Sequence, residues 1–288
     1  MIESFETYLV AERRMSDHTV KAYLRDVSQF LNFVNLEDES GLKEVDYQLV
    51  RGWIVELMDE GLGSRSVNRK LSSLRTFFLW LLNSKVIAVN PMTRIKGPKQ
   101  RKRLPEFVKR ESLDESKLEE LFSKDYSGKR DRLIIEVLYQ TGIRLSELIG
   151  LKRTALSNSA LRVLGKRNKE RMIPLTLPLY KELEDLMNDP LHGDDPHIFL
   201  TDKGKPLYPK YVYRKVNACL STLTHLEKRS PHVLRHTFAT HMLNNGAGLE
   251  SLKELLGHAN LNATQVYTHN SFDQLADIYS QAHPRGGD

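Results

Sequence analysis

Cysteine is nearly missing from these 288 residues. The single one, Cys219, cannot form an intrachain disulfide and fits a reducing compartment. It lies in the apolar run VNACLSTL, where a small core residue is expected rather than a nucleophile. Long hydrophobic runs are missing too. No stretch approaches the ~20 apolar residues of a membrane-spanning helix, and the opening MIESFETYLVAERR lacks the plan of a secretory signal. The expectation is a cytoplasmic protein with no membrane partner. Internal repeats and low-complexity tracts are absent as well. What remains is ordinary: 40% hydrophobic and 28% charged residues, in a chain long enough for two domains with separate cores.

Charge of one sign is also lacking over most of the chain. Residues 1–93 hold 11 basic and 13 acidic side chains, and residues 111–288 hold 24 and 23. The formal excess of +6 therefore comes from 94–110, RIKGPKQRKRLPEFVKR, which holds 8 basic residues and one acidic. Gly97, Pro98 and Pro105 make this stretch a poor helix or strand, so it reads as an extended linker between domains 1–93 and 111–288. A basic linker between two balanced domains suits a strap along a polyanion, with Lys96, Lys99, Arg101, Lys102 and Arg103 as candidate phosphate contacts.

Helical periodicity dominates the first domain. Segments 2–12, 17–34 (after Ser16), 46–60 (ending at Gly61) and 64–82 give four helices, enough for a small bundle. Their polar faces carry Arg65, Arg69, Lys70 and Arg75, which are candidate phosphate contacts or plain solubilising charge. In the second domain, 112–122 and 131–139 read as helices, with Gly142 stopping the latter. Residues 161–164 and 170–175 read as short strands around a Gly-Lys-Arg-Asn turn. Helices return over 179–187, 208–223, 231–241, 249–256, 262–267 and 271–282. The fold class is mainly α with one small β-sheet.

The stretch PHVLRHTFATH, Pro231 to His241, concentrates three histidines and an arginine. On a helix, His232, Arg235 and His236 share one face, while Leu234, Phe238, His241 and Met242 share the opposite one. The three histidines cannot converge on one ion, and Val233 stands where an HExxH metalloprotease helix needs glutamate, so no metal is expected. Arginine beside histidine suits a phosphate better, the one a fork of donors and the other a group that moves a proton near neutral pH. Four other stretches accompany it. TGIRLSEL sets Arg144 at a helix start, and LGKRNKER puts Lys166, Arg167 and Lys169 at a hairpin turn. LLGHANL places His258 just past a helix end, and TQVYTH presents Tyr267.

The order Arg144, Lys166, His232-x-x-Arg235, His258, Tyr267 resembles the catalytic signature of the tyrosine recombinases, or phage-integrase family, and is most similar to its Xer subgroup. LGHANLNATQVYTH and SPHVLRHTFATHML resemble the family's two C-terminal boxes. SDHTVKAYLRDVSQFLNFV and SVNRKLSSLRTFFLWLL resemble its N-terminal helices. One departure stands out, in that the turn commonly reads Gly-Lys-Gly-Asn in relatives and has Arg167 here. The resemblance implies a four-helix core-binding domain and a catalytic domain forming a C-shaped clamp around duplex DNA. It also implies cofactor-free phosphoryl transfer. Tyr267 attacks a backbone phosphate to give a 3′-phosphotyrosine and a free 5′-hydroxyl, and a second 5′-hydroxyl reverses the step. Arg144 and Arg235 clamp the non-bridging oxygens, His232 takes the tyrosine proton and Lys166 protonates the leaving oxygen. His258 bonds the phosphate, Glu147 supports the cations, and His236 has a structural part. The implied assembly is a tetramer on paired sites, exchanging helix 271–282 in trans, alone or with a second related recombinase. Dimer resolution of chromosomes or plasmids is the implied role. A mobile-element integrase and a type IB topoisomerase share this chemistry, and a non-catalytic DNA-binding regulator would share the fold.

Overall fold

The computed structural model describes residues 1–36, 40–100, 106–165, 169–257 and 269–286. Two compact units divide the chain, Met1–Arg103 and Leu104–Asp288.

In the first unit, α1 (Ile2–Thr7) runs into a π turn (Tyr8–Glu12), followed by α2 (Asp17–Phe33), α3 (Tyr47–Asp59) and α4 (Ser64–Asn83). Asp46 caps α3 by accepting from the Leu49 N–H at 2.9 Å. The apolar stripes meet in one core in which Phe5, Val27, Phe30, Val67, Leu71, Leu74, Phe77 and Phe78 are fully buried. Trp53 and Phe78 both meet Phe30 edge-on, with ring centroids 5.3 and 5.8 Å away.

Two expectations for this unit need correction. Lys70 is buried, its Nζ donating to Asp26 Oδ1 at 3.1 Å and Gln29 Oε1 at 2.5 Å, so it joins α4 to α2 and does not face a phosphate. Asp26, fully buried, explains this: it needs donors, and Arg69, Lys70 and Ser73 supply them. Burial raises the Asp26 pKa, but those donors hold it below the usual carboxylate value. Arg75 donates to the Ile95 carbonyl at 3.2 Å. Arg65, Lys96 and Lys99 are exposed. The second correction concerns 94–110, which is not a free strap at its ends. Ile95 enters the first core, and the Pro98 carbonyl accepts from Asn68 Nδ2 at 2.8 Å. Val108 is buried in the second unit, where its N–H bonds Thr237 Oγ1 at 2.9 Å. Apolar residues at 95 and 108 account for both, since leaving them in water forfeits burial. Arg101, Lys102 and Arg103 lie outside the described residues.

The second unit begins with α5 (Glu115–Leu121), capped by Asp114, and α6 (Tyr126–Thr141), capped by Asp125. Ser112, expected at the start of α5, instead closes a separate 3-10 turn, Arg110–Ser112. From Leu133 to Thr141 every residue of α6 is buried, so this helix is the axis of the domain, and its buried polar members Glu136, Gln140 and Thr141 are hydrogen-bonded within the core. A short α7 (Leu145–Ile149) leads to an antiparallel sheet of β1 (Leu156–Ser157), β2 (Ala160–Leu164) and β3 (Glu170–Pro174). The β2–β3 register sets Val163 opposite Arg171 and Leu161 opposite Ile173. Strand β1, two residues long, is too short to show an alternating pattern. Helices α8 (Leu177–Asn188), α9 (Pro209–Leu223), α10 (Pro231–Asn244), α11 (Leu249–Leu256) and α12 (His269–Ala282) complete the unit. Cys219 is a buried core residue, and burial pushes its thiol up to about 12.

In the single chain the last helix packs on its own domain. Leu275, Tyr279 and Ala282 are buried in the core of their own unit, against α10, α11 and β3. The Asn245 side chain donates to the Ala282 carbonyl at 2.8 Å, and Arg285 pairs with buried Glu136 at 2.5 Å and donates to the Leu113 carbonyl at 2.7 Å. In a single chain the apolar stripe has its own groove to fill, and it fills it. The helix expected over 262–267 lies outside the described residues.

Candidate active site

Two glycines with left-handed backbone organise the site. Gly142 (φ +60°) ends α6, and Gly257 (φ +64°) ends α11. Each is a helix stop that other residues enter only with strain. Space is short as well: a Cβ on Gly142 would clash with the Phe238 ring at 2.4 Å, and one on Gly257 would press on Arg171 Nη1 at 3.0 Å. The carbonyls at these helix ends are free of intrahelical partners and carry the negative end of the helix dipole, so cations gather there.

Three arginines do so. Arg235, on the half-buried face of α10, donates to the Gly142 carbonyl at 2.6 Å and to the Leu256 carbonyl at 2.7 Å. Arg144, immediately before α7, donates to the Gly257 carbonyl at 3.2 Å and to Glu147 Oε1 at 2.7 Å. Arg171, on β3 and 4% exposed, donates through Nε to the Leu255 carbonyl at 2.8 Å. Its two terminal nitrogens grip both oxygens of Glu147, at 3.0 and 2.8 Å. Three consecutive carbonyls at the end of α11, those of Leu255, Leu256 and Gly257, thus accept from three different arginines.

Glu147 is the one carboxylate in the cluster. Its Oε2 also accepts the Arg144 N–H at 2.7 Å, as glutamate does in a capping box. Burial raises its pKa, but the bonds from Arg171 and Arg144 prevail and hold it down at about 2. Arg235 is lowered to about 10, by burial first and then by the charge of Arg144 and Arg171, with Glu147 opposing. It remains a cation at neutral pH. Three guanidinium groups against one carboxylate leave a local positive excess. A guanidinium has five N–H donors, so Arg144 and Arg235 each keep donors for an anion beyond the carbonyls they touch.

The histidines of α10 diverge as helical geometry requires. His232 is exposed in the first turn, one turn before Arg235, and His236 is half-buried. His241 is buried, its Nδ1 hydrogen-bonded to Tyr139 Oη at 3.0 Å, and burial lowers its pKa. Among the described residues no group of three or more His, Cys, Asp or Glu side chains could hold a metal ion.

Of the residues singled out in the sequence, Arg144, Glu147 and Arg235 come together in this cluster. His232 and His236 lie along the same helix as Arg235. Lys166, Arg167, His258 and Tyr267 lie outside the described residues. Their flanking residues are placed: a Cβ on Gly165, just before Lys166, would stand 3.5 Å from Arg171 Nη1, and Gly257 precedes His258 directly. Lys169 is exposed. Arg171 is the member that the reading of motifs passed over. Its signal was in the strand alternation, where Arg171 shares the inward face with Ile173, and a charge at an inward position demands a partner.

Comparison with known proteins agrees with this architecture. The phage integrase family model matches residues 111–274, and the model of the phage integrase N-terminal SAM-like domain matches residues 2–85. The tyrosine recombinase XerC of Pelobacter propionicus is 39% identical over 292 residues, covering 99% of this chain and 95% of the relative. That of Bacillus subtilis is 36% identical over 297 residues, covering 99% and 96%. Among solved structures, the fold is similar to the XerH site-specific recombinase bound to palindromic difH substrate (TM-score 0.72, 23% identity, covering 97% of this chain and 84% of that one). It is also similar to a lambda integrase dimer bound to a COC′ core site (TM-score 0.68, 19% identity, covering 91% and 74%). With more than half of its length matched by the family model and relatives of this identity along nearly all of it, the chain belongs to the phage integrase family, the tyrosine recombinases.

Proposed function

We infer that this chain is a Xer-type site-specific recombinase that cuts and rejoins duplex DNA by transesterification, and that it resolves chromosome or plasmid dimers in the cytoplasm. The observation that carries the chemistry is the pair Arg144 and Arg235, held on the carbonyls of two helix ends around Glu147. Two fixed guanidinium groups stabilise the charge that develops on the non-bridging phosphate oxygens during transfer, without reorganisation at the moment of reaction.

Tyr267 is the nucleophile in this reading. Its hydroxyl bonds to phosphorus as the bond to the 5′ oxygen breaks. His232, exposed on the same helix as Arg235, accepts the phenol proton, and Lys166 gives a proton to the leaving oxygen. His258 hydrogen-bonds the phosphate. The covalent bond conserves the phosphodiester's energy, so religation needs no other source. Arg65, Lys96, Lys99, Arg101, Lys102 and Arg103 contact the DNA backbone, with Arg167 and Lys169 at the hairpin turn. The active form is a tetramer on paired sites, with or without a second related recombinase. Leaving the groove seen in the single chain costs α12 little net free energy if it enters the identical groove of a neighbour, which is the logic of a swapped element.

The test is covalent trapping. On a nicked suicide duplex carrying the site, the protein is expected to become linked to the 3′ end in excess chelator as well as without it. Tyr267→Phe is expected to bind the same DNA and trap nothing. A covalent band that survives in Tyr267→Phe would remove Tyr267 from the role of nucleophile.

A further inference from the structure

A buried arginine on a strand is an expensive choice. Position 171 faces inward, opposite Val163 and beside Ile173, where an aliphatic side chain would fill the space without desolvating a charge. Replacing a buried ion pair by apolar residues is often neutral or stabilising, so stability alone does not account for it. Its geometry does. The side chain spends every nitrogen on the two things that hold the site together: both oxygens of Glu147, and the Leu255 carbonyl at the end of α11. Glu147 in turn holds Arg144 by its side chain and by its backbone N–H. The same helix end receives Arg235 and Arg144 one and two residues further on, at Leu256 and Gly257. The chain then continues directly into 258–268, which contains His258 and Tyr267.

We propose that Arg171 is a positioning residue for strand cleavage, fixing Arg144 through Glu147 and the end of α11 through the Leu255 carbonyl. The proposal rests on Arg144 and Arg235 being the phosphate ligands. Arg171 itself, buried beneath them, touches no substrate. It sets the distance between the arginine pair and the end of α11. Its fork geometry matters as well as its charge, because lysine has one nitrogen where arginine here uses three.

The experiment is single-turnover trapping on the nicked suicide duplex with the full chain, at saturating protein, beside gel-shift affinity and thermal melting. The variants are Arg171→Met, Arg171→Lys, Glu147→Gln, the double variant Arg171→Met/Glu147→Gln, and Arg144→Ala as reference. A displacement of roughly 1 Å in a catalytic group costs on the order of a hundredfold, so Arg171→Met is expected to cleave about tenfold to a hundredfold more slowly. Its DNA affinity is expected to stay within about twofold, because no phosphate contact is lost. The double variant is expected to be no slower than the slower single, as residues acting through one another are non-additive. A merely structural residue would not change the pH profile, whereas here a new acid limb is expected in Arg171→Met. Without Arg171 only Arg144 offsets the burial of Glu147, its pKa climbs, and protonation weakens the hold on Arg144. Arg171→Lys keeps the charge and the fold, and is expected to recover only part of the rate. Wild-type cleavage by folded Arg171→Met or Arg171→Lys would overturn the proposal. So would additive losses with an unchanged pH profile. Wild-type cleavage by Arg144→Ala would instead overturn the reading beneath it, and the proposal with it.

Discussion

At the residue scale, the site depends on cations placed where backbone carbonyls lack partners. Arg144, Arg171 and Arg235 complete the ends of two helices and in return are held rigid, with Glu147 as the counter-charge. This carries a pH signature. The folded Glu147 carboxyl, at about 2, lies below the ~4.3 of a free glutamate. The ionised form therefore stabilises the fold above that unfolded value, and the contribution fades as pH falls from there toward 2. Glu147→Gln abolishes this titration. Measured by denaturant melting at pH ~5 and ~3, the variant is expected to be less stable at the higher pH. It is also expected to lose less stability between the two than the wild type does. An identical drop in both proteins would contradict the depressed pKa.

At the element scale, α12 decides how the catalytic unit closes in a single chain. Leu275, Tyr279 and Ala282 carry its buried stripe, and Arg285 ties the following residues to Glu136 and Leu113. Tyr279 stacks on His283 at 5.0 Å between centroids, yet its buried hydroxyl has no hydrogen-bond partner among the described residues. Ring and hydroxyl should therefore separate on substitution. Tyr279→Ala removes the ring from the core and is expected to cost about 3–5 kcal/mol. Tyr279→Phe removes only an unpaired buried polar group and is expected to be neutral or stabilising. Thermal melting of the two variants measures both, and a large loss in Tyr279→Phe would mean that the hydroxyl has a partner after all. Removing the whole helix exposes the groove that this stripe fills, so truncation before Ser271 affects folding as well as assembly.

At the scale of the whole molecule, each unit has its own core, and the positive excess lies in the chain between them. Backbone binding to DNA is read in its salt dependence, where each phosphate neutralised contributes a slope of about 0.9 in log affinity against log salt. Arg65, exposed on one side of α4, and Lys70, buried on another, make a direct comparison. Arg65→Gln is expected to lower the slope by about 0.9 with no change in melting. Lys70→Met is expected to leave the slope unchanged while destabilising the first unit by about 3 kcal/mol, because Asp26 loses a buried partner. A reduced slope in Lys70→Met, at full stability, would put that lysine on the DNA.

Much of this protein was legible in the linear sequence, because helices and strands declare themselves by period and glycine stops them by its freedom of φ. The 249–256 helix, the stops at Gly142 and Gly257, the β2–β3 pair and the divergence of the three histidines of α10 all follow from local geometry. The order Arg144, Lys166, His232-x-x-Arg235, His258, Tyr267 identified the family, since the residue types needed to hold and attack a phosphate are few. Contacts between distant segments were not legible. Helical period sets Lys70 on the face of Val67, Leu71 and Leu74 and Arg65 on the opposite one, but it does not name the partner: Asp26, 44 residues earlier, which the packing of α2 on α4 brings against Lys70. Arg171 read as one more basic residue near a turn until the sheet turned it inward onto Glu147 and α11. Period and motif specify which face a side chain takes on its own element, whereas the groups that face it across the core are set only when the elements pack.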